Sequence, residues 1–469
     1  MSDNYPSSTP ATRILLAQWQ RVLSRSEADG DLAGTAEAHE KIGAILRQQN
    51  SLTEALDSYQ RAIVLRDRLG DFSIAAAILY EMSEIHGLLG QLQQALNLVQ
   101  RSISVRERLG DVSTTVVPLY FAGQILAALR RYADALVYFN RALALREKQN
   151  NQLEIAACLM QIGTAESALG NLADAQRVYL RALALHEKHG TQLLVADSLN
   201  AFGALLVKQG REVSGLEQLQ RALSLREAAG VPGAVGETLS AMAEVYQRQG
   251  NHALALVTLE RALALQETAS NQADLAVTLM RMGASYAHQG RLAQAVAAQA
   301  RALAISEQLG DSAAISATLT ELGATYEGQN RLVDALEHYQ RALGIREEAG
   351  DKLGIAESLS NCANILDVQG EAEQAQEMFQ RSLALSEEVG APAAVARSCF
   401  AIARSLWRHR EREKAVELLE RGLALYREAG MRHETLRELD RLATSYQELG
   451  KPDKAKAYRN EANALRAQA

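Results

Sequence analysis

The sequence predicts an all-α protein, an α-solenoid of stacked antiparallel helix pairs, and three observations carry that prediction. Arginine occupies positions 21, 61, 101, 141, 181, 221, 261, 301, 341, 381 and 421, a spacing of forty with no insertion or deletion. Inside each forty residues, apolar side chains fall three and four apart in two stretches separated by a break, the pattern of two amphipathic helices. The 469 residues are rich in Ala, Leu, Glu, Gln and Arg and hold only 6 Pro, which is helical usage.

Taken in order, residues 1–10 (MSDNYPSSTP) are polar and are expected to form a disordered tail. Residues 11–30 match the second half of a repeat, with Trp19 on the aromatic place and Gly30 on the terminal one, and are predicted to be a capping half-repeat. Ten full repeats then run from Asp31 to Gly430, and an eleventh, 431–469, ends the chain. Repeat 8 (311–350) shows the plan, with a first helix near Ala314–Gly328 and a second near Leu332–Glu348. Gly70, Gly90, Gly190 and their equivalents mark the breaks, with Asn50, Asn150 and Asn330 replacing them elsewhere, because both residues tolerate the left-handed backbone that ends a helix. Asp71, Asp111, Asp311 and Asp351 are expected N-caps. Pro118 should shift or kink its helix. GVPGAVGE (230–237) is expected to be a frayed helix start or a softer joint. In the last helix Lys456, Arg459 and Asn463 replace apolar residues, so that helix is predicted to be the C-terminal cap.

Composition excludes several function classes. A net charge of −7 argues against a general nucleic-acid binder. Cys158, Cys362 and Cys399 are too far apart for a disulfide framework or a CxxC metal pair, which points to a reducing, cytoplasmic setting. No signal-peptide pattern or long apolar run is present, so no membrane role is expected. No HExxH, GxxxxGK[ST] or GxSxG motif occurs. His186 and His189 share one helical turn but lack a further ligand, and are expected to be cations at a helix C-terminus. The cysteines are expected core residues. No cofactor and no enzyme activity are predicted.

The thirteenth place of each repeat holds Gly, Ala or Ser and the twenty-fifth Ala or Gly, so paired helices can approach closely. In repeat 8 the order Leu322, Gly323, Tyr326, Ala335, Tyr339, Ala342 resembles the tetratricopeptide repeat. The period of forty is similar to the long-helix subtype of the kinesin light chain and the Leu-Gly-Asn spindle-orientation adaptors. The resemblance spans about residues 11–469 and implies a right-handed superhelix whose groove is lined by first helices. Carried over place by place, it puts Tyr80, Tyr120, Met160, Asn200 and Met280 (tenth place) and Asn364 (fourteenth) in the groove. The family's Lys/Asn carboxylate clamp is absent.

Repeat 10 departs most from the rest. Arg397, Phe400, Arg404 and Trp407 share one helical face, and Arg437 of the next repeat can join them. Residues 391–469 carry 16 Lys/Arg against 11 Asp/Glu. This stripe reads either as an anchor for an acidic peptide or as Trp407 packed under the cap beside solvated arginines. The leading expectation is a non-enzymatic scaffold that holds a protein or peptide partner, with an acidic segment, in its groove. The alternative is a peptide-responsive sensor whose superhelix changes pitch, hinged at 230–237. The recurring Arg is expected to be structural, paired with the equally regular Asp67, Glu107, Glu147, Glu187, Glu227, Glu267, Glu307, Glu347 and Glu387.

Overall fold

The structure, a computed structural model, describes residues 10–269 and 271–467; the expected tail lies outside these, except that Pro10 opens the first helix. Every described element is an α-helix. The chain divides into two bodies, Met1–Gly230 and Val231–Ala469. The N-terminal body holds α1 (Pro10–Ala28), α2 (Leu32–Gln48), α3 (Leu52–Leu69), α4 (Phe72–Leu88), α5 (Leu92–Arg108), α6 (Val116–Ala128), α7 (Tyr132–Gln149), α8 (Gln152–Leu169), α9 (Leu172–His189), α10 (Gln192–Lys208) and α11 (Glu212–Ala228). The C-terminal body holds α12 (Pro232–Arg248), α13 (His252–Ala269), α14 (Gln272–His288), α15 (Leu292–Leu309), α16 (Ser312–Gly328), α17 (Leu332–Ala349), α18 (Lys352–Gln369), α19 (Ala372–Val389), α20 (Pro392–Arg408), α21 (Arg412–Glu428), α22 (Arg432–Glu448) and α23 (Pro452–Ala467). After α1, each repeat contributes two consecutive helices that pack on each other. First helices of successive repeats also touch, as α6 does α8 and α18 does α20, which sets the first helices on the inner side of each stack.

Close approach is what the small residues permit. A Cβ on Gly123 would lie 2.5 Å from the Phe139 ring, and one on Gly163 would lie 2.5 Å from that of Tyr179. The second-helix aromatic thus packs directly on first-helix backbone, and Ala55, Ala95, Ala135 and Ala175 beside it are fully buried. Gly70 and Asn150 end their helices in the left-handed region as expected. Arg130 and Arg410 also adopt it, although neither is a residue that favours it. Gly190 does not; its backbone is extended, at φ −95°. Asp311 and Asp351 accept from first-turn amides, but Asp71 caps nothing because its carboxylate is taken by Arg66. Asp111 closes a turn with Thr114 ahead of a helix whose start has moved to Val116, two residues before Pro118. The 230–237 stretch is helical from Pro232, not frayed, and the boundary between the bodies falls just before Val231. Lys456, Arg459 and Asn463 are exposed, as a cap requires.

At most junctions the recurring Arg meets the acid of the preceding repeat: Arg181–Glu147 and Arg421–Glu387 at 2.6 Å, Arg381–Glu347 at 2.8 Å, Arg221–Glu187 at 3.7 Å, with Arg141–Glu107 and Arg341–Glu307 alike; Arg61 instead pairs with Asp57 one turn back in its own helix, at 3.0 Å. At the last junction the charges are exchanged, Arg427 pairing with Glu461 at 2.6 Å, so the rung survives a swap of partners. These are exposed pairs and contribute about 0.2–1 kcal/mol each.

A second series is buried. Arg66, Arg146, Arg226 and Arg346, all at the thirty-sixth place, are between 3% and 8% exposed. Arg146 donates to the Glu154 carbonyl at 3.0 Å, pairs with the Glu154 carboxylate at 2.6 Å and lies 4.5 Å over the Tyr120 ring. Arg346 donates to the Gly354 carbonyl and to Ser358 Oγ (2.7 Å), and pairs with Glu357 at 3.0 Å. His186 belongs to this series. It is not the helix-end cation expected of it: it is 4% exposed, its Nδ1 is 2.7 Å from Ser198 Oγ, and burial pushes its pKa down, with Asp197 acting against that shift. His189, one turn on, is exposed.

A pH dependence follows. A histidine whose folded pKa lies below its unfolded value binds fewer protons when folded, so stability falls as pH drops below the unfolded value of 6.5. His186→Arg restores the residue type of neighbouring repeats and removes the titration. The urea midpoint of H186R should drop less between pH 7 and pH 5 than that of the parent; equal drops would refute this.

Candidate functional site

The C-terminal body carries a cavity of about 360 Å³ on its inner face, built from α18, α20 and α22 with side chains from α19 and α21. Arg397, Phe400, Arg404, Arg437 and Asn364 all line it, joined by Ser386, Glu438 and Arg441. Its origin lies in the buried arginine series. At the preceding junction Arg346 fills this space and reaches Ser358 and Glu357. One repeat later the same three places hold Ser386, Ser398 and Arg397, so the long side chain is gone and the carboxylate has become a guanidinium. What remains is a serine cluster, with Ser398 3.2 Å from Ser386 and 3.1 Å from Ser382.

Phe400 forms a wall. It is 6% exposed, its ring is 5.2 Å from that of Tyr426, and a Cβ on Gly422 would meet it at 2.6 Å. Arg397 and Arg404 are exposed and meet no carboxylate among the described residues. Arg404 is open to water yet surrounded by the inner wall; desolvation first, then Arg441 and Arg408, lower its pKa, while Glu327 and Glu438 oppose the shift. Arg437 pairs with Glu438 at 3.0 Å. Behind the wall, buried Asp367 ties α18 to the end of α20 through Arg408 and through His409 Nε2 at 2.6 Å.

Trp407 does not line this cavity. It is half-buried against the core of repeats 10 and 11, and lines an adjoining cavity of about 370 Å³ that shares Arg404 and Arg441. Arg412 lies 5.4 Å over its ring. Met280 is in the same body, several repeats away, half-buried, with Thr318 donating to its sulfur at 3.8 Å. Tyr80, Tyr120, Met160 and Asn200 belong to the other body, each half-buried. Tyr80 donates to Glu84 at 2.8 Å and packs edge-on against Phe121, while Ser198 donates to the Met160 sulfur at 3.5 Å. Glu438, Arg441 and Ser386 were missed in the sequence. The signal was there, in the Ser386 and Arg397 columns, where one repeat loses an Arg and the next exchanges Glu for Arg.

The three cysteines are fully buried in first helices, and burial pushes their thiol pKa values up, that of Cys362 to about 12. Among the described residues no cluster of His, Cys, Asp and Glu could hold a metal ion, and no helix is long and apolar enough to cross a membrane.

The family profile described as "Tetratricopeptide repeat" matches residues 34–108, 74–148, 114–188, 194–268, 274–348 and 354–428, well over half of the sequence. The chain belongs to the tetratricopeptide repeat family. No curated protein sequence gives a match. Among solved structures, this tetratricopeptide repeat protein is similar to a Rap protein complexed with competence and sporulation factor, at 15% identity and TM-score 0.53, over 76% of this chain and 98% of that one. The apo form of RapI is similar at 16% identity and TM-score 0.51, over 59% and 98%. A signal-transduction ATPase with numerous domains and a tetratricopeptide repeat sensor, from Pyrococcus horikoshii, gives 12% identity and TM-score 0.51, over 74% of this chain and 54% of that chain. At such identities the likeness is one of fold.

Proposed function

We propose that this repeat protein is an interaction scaffold that holds an acidic peptide or partner segment against the first helices of repeats 9 to 11. The observation that carries the reading is the cavity itself, where Arg397 and Arg404 stand without carboxylate partners in a space that the preceding repeat fills with an Arg–Glu pair. A ligand carboxylate would supply the missing half through charge-assisted hydrogen bonds. Trp407, half-buried beside Arg404, offers an aromatic anchor next to it. That a Rap protein of similar fold is complexed with competence and sporulation factor supports a ligand-holding role.

The test is a peptide array in which each acidic peptide is paired with its Asn/Gln counterpart. The parent protein should retain acidic peptides over their amides. Arg404→Glu with Trp407→Ala should lose them by about thirtyfold or more, as when one partner of a close charge pair is removed. Unchanged capture by that variant, with its helical content intact, would sink the reading.

A further inference from the structure

The cavity has polar groups that an acid alone leaves unanswered. Glu438 lines it, 3% exposed, with Oε1 accepting from Arg437 Nε at 3.0 Å. Its Oε2 is 3.6 Å from Arg441 Nη1, beyond hydrogen-bond distance, and is buried without a donor. Asn364 also lines the cavity, 8% exposed, and its Oδ1 is likewise buried without a donor. Two orphan acceptors, one of them charged, therefore share a small space with two unpaired guanidinium groups. Buried acceptors are normally satisfied, and a pair left open in a ligand-sized cavity describes the ligand by what is missing. The arginines require a carboxylate; Glu438 and Asn364 require N–H donors, and the charge on Glu438 favours a cationic one. A space of about 360 Å³ is at the small end for ligand sites, so both demands fall on one or two residues and not on a long extended segment.

We propose that the cavity takes a residue carrying both groups, a free α-ammonium against Glu438 and Asn364 and a carboxylate against Arg397 and Arg404. This rests on the acid-binding reading above and adds to it that the acidic residue bears a free amine. Two sources supply that chemistry, an acidic residue at the N-terminus of a peptide and a free acidic amino acid.

Calorimetric titration of the full chain with three probes tests this: Glu-Ala-Ala-Ala amide, its N-acetylated form, and L-glutamate. The free-amine peptide should bind at least about tenfold more tightly than the acetylated one, one lost charge-assisted contact being worth that factor or more. Glu438→Gln should abolish the difference between the two peptides. Asn364→Asp, which adds a second negative charge at the same wall, should widen it. Arg404→Gln should weaken both peptides alike. L-glutamate binding as tightly as the peptide keeps the proposal and assigns the free amino acid as the source. Equal affinity for free and acetylated peptides, or a preference that persists in Glu438→Gln, overturns it. If both peptides bind equally and both depend on Arg404, this inference falls while the acid-binding function stands. If neither depends on Arg404, the function falls as well.

Discussion

Arg146→Ala is expected to cost about 2–4 kcal/mol of folding free energy, whereas Arg141→Ala, five residues earlier, should cost about 0.2–1 kcal/mol. Both arginines lie in the repeated phrase RALALREK, and nothing in their local sequence ranks them. Five residues along a helix is a rotation of about 140° beyond a full turn, so the two cannot share a face. Arg141 points outward to Glu107, with both side chains more than 40% exposed. Arg146 is 5% exposed and satisfies the Glu154 carbonyl and carboxylate while covering the Tyr120 ring. Its removal leaves a void at the junction between repeats 3 and 4 and takes from the Glu154 carbonyl the side-chain donor it has beyond its own helix. The Glu154 carboxylate is 48% exposed and rehydrates, which keeps the cost below the about 3–5 kcal/mol of breaking a fully buried pair. Urea unfolding of the two variants measures the contrast; similar losses would show that the buried series is not the one that holds the repeats together.

The contrast also marks what the sequence made legible. The fold was readable because every junction repeats one packing problem, so Gly123 against Phe139 and Gly163 against Tyr179 are the same solution written again. The exposed Arg–acid rungs were readable for the same reason, down to the pairing of neighbouring helices. The thirty-sixth place was not, because it changes among Arg, His, Gln, Ser and Tyr and therefore looks like a tolerant surface site. It varies because each occupant is matched to its own neighbours across the junction, as His186 is to Ser198 and Arg346 to Ser358. The basic face of repeat 10 was visible from helical spacing. The cavity was not, since it arises from a side chain that is short on a different helix. Spacing alone likewise could not separate Trp407 from the arginines, although one turn along α20 moves it from the first cavity to the second.

Ser386→Arg is expected to reduce the capture of acidic ligands by about a hundredfold, equivalent to about 2.7 kcal/mol, although it adds a positive charge to an already basic site. The reasoning comes from the junction before it. Arg346 occupies the corresponding place and reaches Ser358 Oγ at 2.7 Å, and Ser398 stands where Ser358 does, so an arginine at 386 has the same polar destination. It would fill the space in which the ligand carboxylate is proposed to sit. It would also stand beside Arg397, where Arg346 has Glu357, so the single variant should be less stable than the parent. Adding Arg397→Glu recreates the Arg346–Glu357 arrangement and should recover that stability while leaving binding lost. Because Arg397→Glu itself removes a proposed carboxylate contact, binding by the double variant is compared with that of Arg397→Glu alone, and a further loss in the folded double variant is occlusion and not misfolding. The single variant separates a shaped site from a diffuse positive field, which would attract acidic peptides more strongly once Ser386 became arginine. Tighter binding by S386R on the array would mean that the arginines act at a distance and that the cavity is incidental.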